Sequence, residues 1–482
     1  MTHYATKDKE QLKVSSPLTI EDRVTQKEIF EYLKSSGYDK FVTTRDLHHW
    51  WRFSGSAVWL PNDDCYLMVT RFVYAKGRRE KPVLSLLRMQ LFDSEWKELL
   101  GKRLRYVDVS FSDVTLAMEK YIDSNHDESM LDSISLKFPT FFDVKFGDYD
   151  GGSCMGAEDP RVTYRENKVM EGEPMVIFNM LNKDKDRLMN IGFPLRKPDI
   201  AEGVRVSELR YLKKDGLGDK LLEKNWSPFF EPEDTEFKED SLGTAHMLYD
   251  FQTLTILKCV LDSGICQECL QKQPDKLPEP DRNIRSSVYL RGGTNLVPVP
   301  DILMLRILED QNRMFDGITF ACQVRMWFGI AKTHAKGCGC GTATYRPSIF
   351  VVSKVNEEYR LDLIGRSTEL GMEVLSWEGD TTDCLGGANV LGVNSIPFWD
   401  IQKDGLDFKD YMAITVSESD RNVKMLLLKN VANYLVGLYR QNSLEKLRTD
   451  PMVRLAKATD CTLRSAHRHC VLYSQTHKAS ND

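Results

Sequence analysis

The sequence predicts a mainly β protein that begins with one helix and ends with a helical element. Short β-branched or aromatic runs, each bounded by turn residues, recur every few tens of residues. An amphipathic stretch precedes these runs, and helical spacing replaces them near the C-terminus. This rhythm is typical of β architectures that are built sheet by sheet.

The elements follow in a simple order. The opening helix is predicted at about residues 24–36, where Ile29, Tyr32 and Leu33 lie at helical spacing. Strands are predicted at residues 65–75, 174–181, 245–251, 326–334, 348–355 and 411–419. From about residue 430 to 470 the pattern is helical again. We therefore divide the chain into a polar N-terminal segment with a helix (1–40), a central β domain (41–430) and a helical C-terminal extension (431–482).

Composition and charge exclude several classes of protein. Hydrophobic residues make up 41% and charged residues 28% of the 482 residues, as in globular proteins. The formal net charge of −6 argues against a nucleic-acid-binding protein. No apolar run is long enough to span a membrane, and the polar N-terminus has no signal-peptide core. We expect a chain that is soluble and cytoplasmic, or one that begins downstream of a removed anchor.

Polar residues cluster where several predicted strands begin or end. The clusters are "GAEDPRV" (156–162), "EKNWSPFF" (223–230), "YLRGGTNLVP" (289–298) and "AKTHAKGCGCGTATYRP" (331–347), with Arg71 on an earlier strand. Together they contain two carboxylates, several cations and an imidazole, a set that suits an anionic ligand rich in hydroxyl groups. Arginine donates to phosphate in pairs, and glycine lets backbone amides approach an oxyanion closely. Each cluster alone is also what a solvated turn would contain.

Two metal sites are weaker alternatives. Asp148 and Asp150 form an Asp-x-Asp motif like that of metal-dependent nucleotide-sugar transferases, where it holds a divalent ion against the diphosphate. The alternating strands and helices of that fold are missing from this sequence. The cysteines offer a four-thiolate zinc site from Cys266, Cys269, Cys338 and Cys340, but the second spacing is tighter than usual. Disulfides or buried thiols are the favoured interpretation.

Taken in order, the motifs resemble a known family. "GAEDPRV", "KNWSPFF", "AHMLYDFQTLTILKC", "RGGTNLVPVPD", "GIAKTHAKGCGCGTATYRPSIFVV" and "NSIPFWD" are similar to motifs of the fungal β-1,2-mannosyltransferase family, from about residue 50 to 430. The "GAEDPR" element also resembles one in bacterial β-mannoside phosphorylases and hydrolases, which are five-bladed β-propellers. The resemblance therefore implies that the central domain is a catalytic five-bladed β-propeller.

The resemblance also implies a reaction. Mannose would pass from GDP-mannose to O2 of a mannose on cell-wall or lipid-linked mannan, with inversion at the anomeric carbon. Asp159 would act as the base, directly or through a sugar hydroxyl, Glu158 would hold sugar hydroxyls, and Arg161 would order its loop or meet phosphate. The implied donor-diphosphate site further contains Arg71, Lys224, Arg291, His334 and Arg346, and the implied sugar-binding residues are Asn225, Trp226 and Tyr345. No residue is assigned to guanine.

The remaining expectations concern partners and location. The expected partners are a GDP-mannose donor and a mannan or manno-oligosaccharide acceptor, with no required cofactor and no nucleic acid. Family members usually carry a membrane anchor, so the resemblance implies the Golgi lumen and an anchor that is absent from this chain. Two alternatives stay open: a mannoside phosphorylase or hydrolase on the same scaffold, and a non-catalytic mannan-binding propeller. If the backbone is extended at residues 158–159, the two adjacent carboxylates point to opposite faces.

Overall fold

The computed structural model describes most of the chain. The described residues are 11–39, 49–77, 79, 81–145, 154–169, 171–201, 204–216, 222–238, 241–251, 254–269, 287–310, 324–338, 340–368, 370–446 and 451–477. Within them the protein is mainly β, as the sequence predicts. The larger sheets contain ten, eight and five strands.

The chain opens with two short strands and one helix. These are β1 (Lys13–Val14), β2 (Leu18–Thr19) and α1 (Gln26–Ser35), and the helix confirms the one predicted at residues 24–36. The Thr25 side chain caps the helix by accepting a hydrogen bond from the backbone N–H of Glu28 at 3.2 Å. Ile29 and Leu33 on one face of α1 are buried against the five-stranded sheet.

The five-stranded sheet follows. Its strands are β3 (Trp50–Leu60), β4 (Cys65–Tyr74) and β5 (Leu84–Phe92), with β8 (Thr140–Phe141) and β9 (Met155–Gly156) on β5. Every residue of β4 is buried, because this central strand is covered on both faces. Between β5 and β8 lie β6 (Arg103–Arg105), α2 (Phe111–Asp123), a 3₁₀ turn (Glu128–Ser133) and β7 (Ser135–Lys137).

The eight-stranded sheet consists of two antiparallel groups. The first contains β10 (Glu158–Arg165), β11 (Glu173–Leu181), β12 (Arg187–Gly192) and β15 (Leu209–Lys214), and the second contains β16 (Ser227–Phe229), β17 (Thr244–Asp250), β18 (Thr255–Val260) and β19 (Ile265–Glu268). A short parallel pairing of β15 with β19 joins the two groups. The small hairpin β13 (Asp199–Ala201) and β14 (Val204–Val206) and a 3₁₀ turn (Pro232–Thr235) lie in the connections.

The ten-stranded sheet has the same construction. One antiparallel group contains β20 (Val288–Arg291), β21 (Val297–Pro298), β22 (Val324–Ala335), β23 (Ala343–Val355) and β24 (Glu358–Ile364), with helix α3 (Asp301–Asp310) between β21 and β22. The other contains β25 (Ala388–Asp404), β26 (Asp407–Glu418) and β27 (Lys424–Lys429), completed by β1 and β2 on β27. A parallel pairing of β23 with β25 joins them.

The first strands of successive groups lie side by side. The backbone N–H of Val162 on β10 donates to Ser56 Oγ on β3 at 2.9 Å, and that of Ala57 donates to Ser395 Oγ on β25 at 2.8 Å. Farther round, the N–H of Leu296 donates to the carbonyl of Pro228 at 2.9 Å. These bonds satisfy polar groups that would otherwise be buried without partners. They also hold these strands next to one another.

Two helices complete the described chain. They are α4 (Val431–Lys446) and α5 (Pro451–Thr476), and they confirm the helical pattern predicted after residue 430. Leu463, Ala466 and Cys470 pack α5 onto the sheet that contains β22 and β23. A disulfide between Cys338 and Cys470 fastens α5 to the loop after β22. Among the described helices, none combines the length and the apolar character that a membrane span needs.

Candidate functional site

The "GAEDPRV" stretch contains a bulge that brings its two carboxylates together. The pairing of β10 with β11 is irregular between Glu158 and Arg161, and Asp159 has a φ of +52°. Because the backbone is not extended there, both side chains reach one guanidinium. Arg71 Nη1 lies 2.9 Å from Asp159 Oδ1, and Arg71 Nη2 lies 3.0 Å from Glu158 Oε2. The condition of an extended backbone is therefore not met, and the two carboxylates do not point to opposite faces.

Glu158 is the buried member of this pair. Its second oxygen, Oε1, accepts a hydrogen bond from Arg187 Nη1 at 2.5 Å, and Arg187 also donates to Asn179 Oδ1 at 2.6 Å. The Glu158 side chain is only 8% exposed. The structure thus places Glu158 between two arginines, where it holds Arg71 in position. Sequence reasoning missed Arg187, which lies outside the quoted motifs.

Asp159 is the member that solvent can reach, with 29% of its side chain exposed. Burial favours the neutral acid, but the charges of Arg71, Lys332 and Lys224 outweigh burial and lower the pKa of Asp159 well below its usual range. Asp159 is therefore an ionised carboxylate at neutral pH. It is the group of the motif that can accept a proton or a hydroxyl hydrogen bond from a ligand.

Arg161 orders a neighbouring loop. Its Nε donates to the carbonyl of Gly293 at 2.7 Å and its Nη2 donates to the carbonyl of Gly292 at 3.0 Å. Both glycines lie where a side chain would collide with backbone, since a Cβ on Gly292 would be 2.0 Å from the carbonyl oxygen of Asn225. Of the two roles expected for Arg161, the geometry supports the ordering of the loop.

One face of the β20–β22–β23 ladder carries several of the predicted residues. Arg291 is paired with Lys332, Tyr289 with His334, and His334 with Tyr345. Directly paired residues point to the same face, as do residues two apart on one strand, so these five side chains share a face. The charge of Asp159 acts on both Lys332 and Tyr345, so this face is turned towards the carboxylate.

Three cations around Asp159 have no anionic partner. Among the described residues, Lys224, Arg291 and Lys332 make no side-chain hydrogen bond or ion pair with the protein. Burial lowers the pKa of Lys332 to about 8, and the charge of Arg161 adds to this shift. Lys332 was missed by sequence reasoning, although it is two residues from His334 on the same strand. Unpaired, partly desolvated cations of this kind form a strong site for an anion.

His334 supplies a further polar atom to this face. The residue is 6% exposed, its ring lies 4.3 Å from the ring of Tyr345, and its Nδ1 has no hydrogen-bond partner. Burial lowers the pKa of His334 to about 4, and the charges of Arg291, Lys336 and Lys332 act in the same direction. The imidazole is therefore neutral at pH 7, so it offers one donor and one acceptor to a bound group.

Two of the predicted residues lie away from this face. Trp226 is 0% exposed, and its indole N–H donates to Glu223 Oε2 at 2.9 Å inside the core, so it presents no surface for stacking on a sugar. Arg346 follows Tyr345 on β23 and therefore points to the opposite face. There its Nη2 donates to Asn389 Oδ1 at 2.5 Å, and its guanidinium lies 5.1 Å from the ring centre of Tyr473 on α5. These two expectations are corrected.

Asp420 is a second carboxylate that the sequence did not reveal. It lies in the turn between β26 and β27, where Ser419 and Asp420 both have positive φ, +45° and +50°. Such strained backbone is frequent at functional sites. Burial raises the pKa of Asp420 to about 6, and the negative charge of Asp159 adds to the shift while Arg71 opposes it. Asp159 and Asp420 thus differ in how readily they bind a proton.

The proposed metal ligands are not assembled in the part of the chain that the structure describes. Asp148 and Asp150 lie outside the described residues. The predicted zinc set is divided among disulfides, because Cys266 is bonded to Cys259, Cys338 to Cys470 and Cys340 to Cys384. Within the described ranges, no cluster of three or more His, Cys, Asp or Glu side chains could hold a metal ion.

A cavity of about 390 Å³ adjoins the cation cluster and is bordered by Lys224, Asn225 and Arg291. A larger cavity of about 720 Å³ lies at the opposite ends of the same strands, beside Trp59 and Tyr164. Five residues along β10 separate Tyr164 from Asp159, roughly 16 Å of extended chain. The smaller cavity is therefore the one that belongs to the candidate site.

Comparison with known proteins identifies a family whose sequences are similar to this chain. The sequence profile of the family described as "Beta-mannosyltransferases" matches residues 3–192 and 194–469. "Beta-mannosyltransferase 4" of Komagataella phaffii is 30% identical over 462 residues, which cover 94% of this chain and 78% of the relative. "Beta-mannosyltransferase 3" of Candida albicans is 30% identical over 441 residues, 89% of this chain and 67% of the relative. A glycosyl hydrolase structure from Bacteroides ovatus matches with a TM-score of 0.37 and 11% identity, over 78% of this chain and 84% of that one.

Proposed function

Because the chain belongs to the beta-mannosyltransferase family, we propose that it transfers mannose from GDP-mannose to O2 of a terminal mannose and forms a β-1,2-mannosidic bond with inversion. The observation that carries the proposal is the ionised Asp159 beside three unpaired cations, Lys224, Arg291 and Lys332. A single displacement needs a base for the acceptor and a cationic site for the departing diphosphate. The site contains a candidate for each role.

Asp159 is the proposed base. Without ligand, the cations around it keep its pKa low, which makes it a weak proton acceptor. A diphosphate bound to Lys224 and Lys332 brings negative charge close to Asp159 and cancels part of that cationic field. Donor binding thereby raises the pKa of Asp159 and strengthens it as a base at the moment when the acceptor hydroxyl must lose its proton. The proton passes directly to Asp159 or through an intervening sugar hydroxyl.

The leaving diphosphate is assigned to the cation cluster. Lys224, Arg291 and Lys332 would bind its oxygens, and the neutral His334 would add one hydrogen bond. Tyr345, which is half-buried beside His334, and Asn225, at the edge of the smaller cavity, are positioned to contact a sugar. No metal is included in this mechanism, since the cations alone can neutralise the charge that develops on the leaving group.

The proposed scaffold is a five-bladed β-propeller. The parallel joints in the eight-stranded and ten-stranded sheets each divide a sheet into two antiparallel groups, and the five-stranded sheet supplies a fifth. Hydrogen bonds between the first strands support a ring with the candidate site at one end of its axis. The disulfides favour an oxidising compartment such as the Golgi lumen.

The test is a comparison of donors. The protein is incubated with a manno-oligosaccharide acceptor and either GDP-mannose or mannose 1-phosphate, and the new linkage is identified by NMR. We expect elongation with GDP-mannose, a β-1,2 linkage, and full activity in the presence of a chelator. Elongation with mannose 1-phosphate alone would contradict the proposal and favour a phosphorylase. Glycan binding without turnover of either donor would instead favour a mannan-binding protein.

A further inference from the structure

The cavity beside the cation cluster leads away from Asp159. Gly292 connects the two regions, because its carbonyl accepts a hydrogen bond from Arg161 while the residue itself lines the cavity. Lys224 and Arg291 line the cavity and also act on the neighbouring site. The charge of Lys224 lowers the pKa of Asp159, and the charge of Arg291 lowers the pKa of His334. A ligand whose diphosphate is bound by these cations therefore has its next group directed into the cavity.

The volume and walls of the cavity suit a nucleoside. Its volume of about 390 Å³ falls within the roughly 300–1,000 Å³ of typical small-molecule sites. The far wall is formed by Tyr249, Asp250 and Phe251 at the end of β17. Aromatic residues provide apolar surface for a base, and carboxylates accept hydrogen bonds from N–H and O–H groups.

The wall is rigid and carries negative charge. Glu223, which is 7% exposed, accepts hydrogen bonds from Trp226 Nε1 at 2.9 Å and from Tyr249 Oη at 3.3 Å. Burial raises the pKa of Tyr249 to about 12, and the charges of Glu223 and Asp250 add to the shift. The cavity is thus lined by two cations, Lys224 and Arg291, and by two carboxylates, Glu223 and Asp250. These groups match a molecule that carries both a diphosphate and hydrogen-bond donors.

We propose that this cavity binds the guanosine part of the sugar donor, with Asp250 accepting hydrogen bonds from the N–H groups of the base. The inference rests on the proposed function, since it names the subsite that a GDP-linked donor would occupy. Guanine presents two adjacent N–H donors that a carboxylate can accept together, whereas uracil presents one N–H between two carbonyls. Asp250 is therefore the specificity-determining residue for the nucleotide.

The experiment measures binding of GDP, UDP and inorganic diphosphate by calorimetry. We expect the wild type to bind GDP at least tenfold more tightly than UDP. Asp250→Asn should weaken GDP binding about tenfold, because one charge-assisted hydrogen bond is lost, and leave diphosphate binding unchanged. Asp404→Asn, at the exposed end of β25, is the matched control and should change neither. Lys224→Ala should weaken all three ligands.

A second variant guards against a folding defect in Asp250→Asn. Leu222 lines the same cavity and is 78% exposed, so Leu222→Trp narrows the entrance without disturbing the core. Leu222→Trp should weaken the binding of GDP and leave the binding of inorganic diphosphate unchanged. If the wild type binds GDP and both variants bind it equally well, the subsite is elsewhere and the proposed function stands. If the wild type binds inorganic diphosphate but neither nucleotide, both the subsite and the transferase proposal fail.

Discussion

The guanidinium of Arg71 bonds Asp159 Oδ1 at 2.9 Å, so the proposed base is already half of an ion pair before any substrate binds. The same guanidinium bonds Glu158 Oε2 at 3.0 Å, and its Nε donates a hydrogen bond to Ser85 Oγ at 3.0 Å. Three fixed contacts leave Arg71 little freedom to move. The position of the Asp159 carboxylate is therefore set by the protein and not by the ligand.

Replacement of Asp159 by Asn should separate chemistry from binding. We expect kcat to fall about 10³-fold, since a general base contributes roughly 10² to 10⁴. GDP binding should be kept or strengthened, because a negative charge next to the diphosphate site is removed. Steady-state kinetics and calorimetry on the same preparation give both values. A variant that retains a tenth of the wild-type rate would exclude Asp159 as the base.

Replacement of Arg71 by Met should destabilise the protein. It leaves Glu158, which is 8% exposed, with one arginine partner fewer, and breaking such a buried pair costs about 3 kcal/mol of the free energy of unfolding. The double variant Arg71→Met/Glu158→Gln should recover part of this loss, because the buried charge is removed with its partner. Urea unfolding of the single and double variants measures the coupling. Strict additivity would show that the two side chains do not depend on each other.

Asp420 should make donor binding sensitive to pH near 6. Burial raises its pKa to about 6, so the carboxyl is neutral below this pH and negative above it. The negative form opposes an anionic ligand, and we expect the Kd for GDP to rise several-fold between pH 5 and 7. Asp420→Asn should lack this contribution, and comparing it with wild type cancels the titration of GDP itself. Identical pH profiles would mean that Asp420 does not face the ligand.

Lys332 should determine how GDP affinity changes at alkaline pH. Burial lowers its pKa to about 8, so its positive charge is present below this pH and lost above it. GDP affinity is therefore expected to fall as pH rises through 8. Lys332→Arg should keep its charge and move the decline to higher pH, since a guanidinium remains protonated. A decline at the same pH in both proteins would assign it to another group.

The Cys338–Cys470 disulfide should stabilise the packing of α5. It closes a loop of 132 residues, and we expect its removal in Cys338→Ser/Cys470→Ser to cost about 2–4 kcal/mol. Cys461, a free cysteine on the same helix, provides the control Cys461→Ser. Thermal melting with and without reductant shows the difference. If reductant lowers the midpoint of the double variant as much as that of wild type, another disulfide is responsible.

The sequence revealed those features that depend on local pattern. Strands such as β4 and β11 were found because β-branched and aromatic residues cluster in them. The polar residues at strand ends are found for a similar reason: the charge of Lys224 acts on Asp159, and the charge of Arg291 acts on His334. The direction of a side chain, by contrast, depends on register and on bulges, which a single sequence does not show.

The predictions that proved wrong are those that depended on the direction of a side chain. The resemblance places Arg346 in one diphosphate site with His334, but Arg346 is adjacent to Tyr345, the strand partner of His334, and therefore points to the opposite face. Lys332, which shares the face of His334, is not among the predicted residues. The resemblance implies that Trp226 binds sugar, yet its ring is in the core. Asp420 lies in a turn without any local signal, and its proximity to Asp159 arises only when the last sheet packs beside the first.

The pairing of β1 and β2 with β27 has a consequence for biosynthesis. Lys13 leaves the ribosome well before its partner, Lys429, which is made more than four hundred residues later. The final sheet therefore cannot be completed during translation until β27 has emerged. Until then β1 and β2 lack their partner strand, and another chain could pair with them. Closure of this sheet is thus a late step that protects the nascent protein from aggregation.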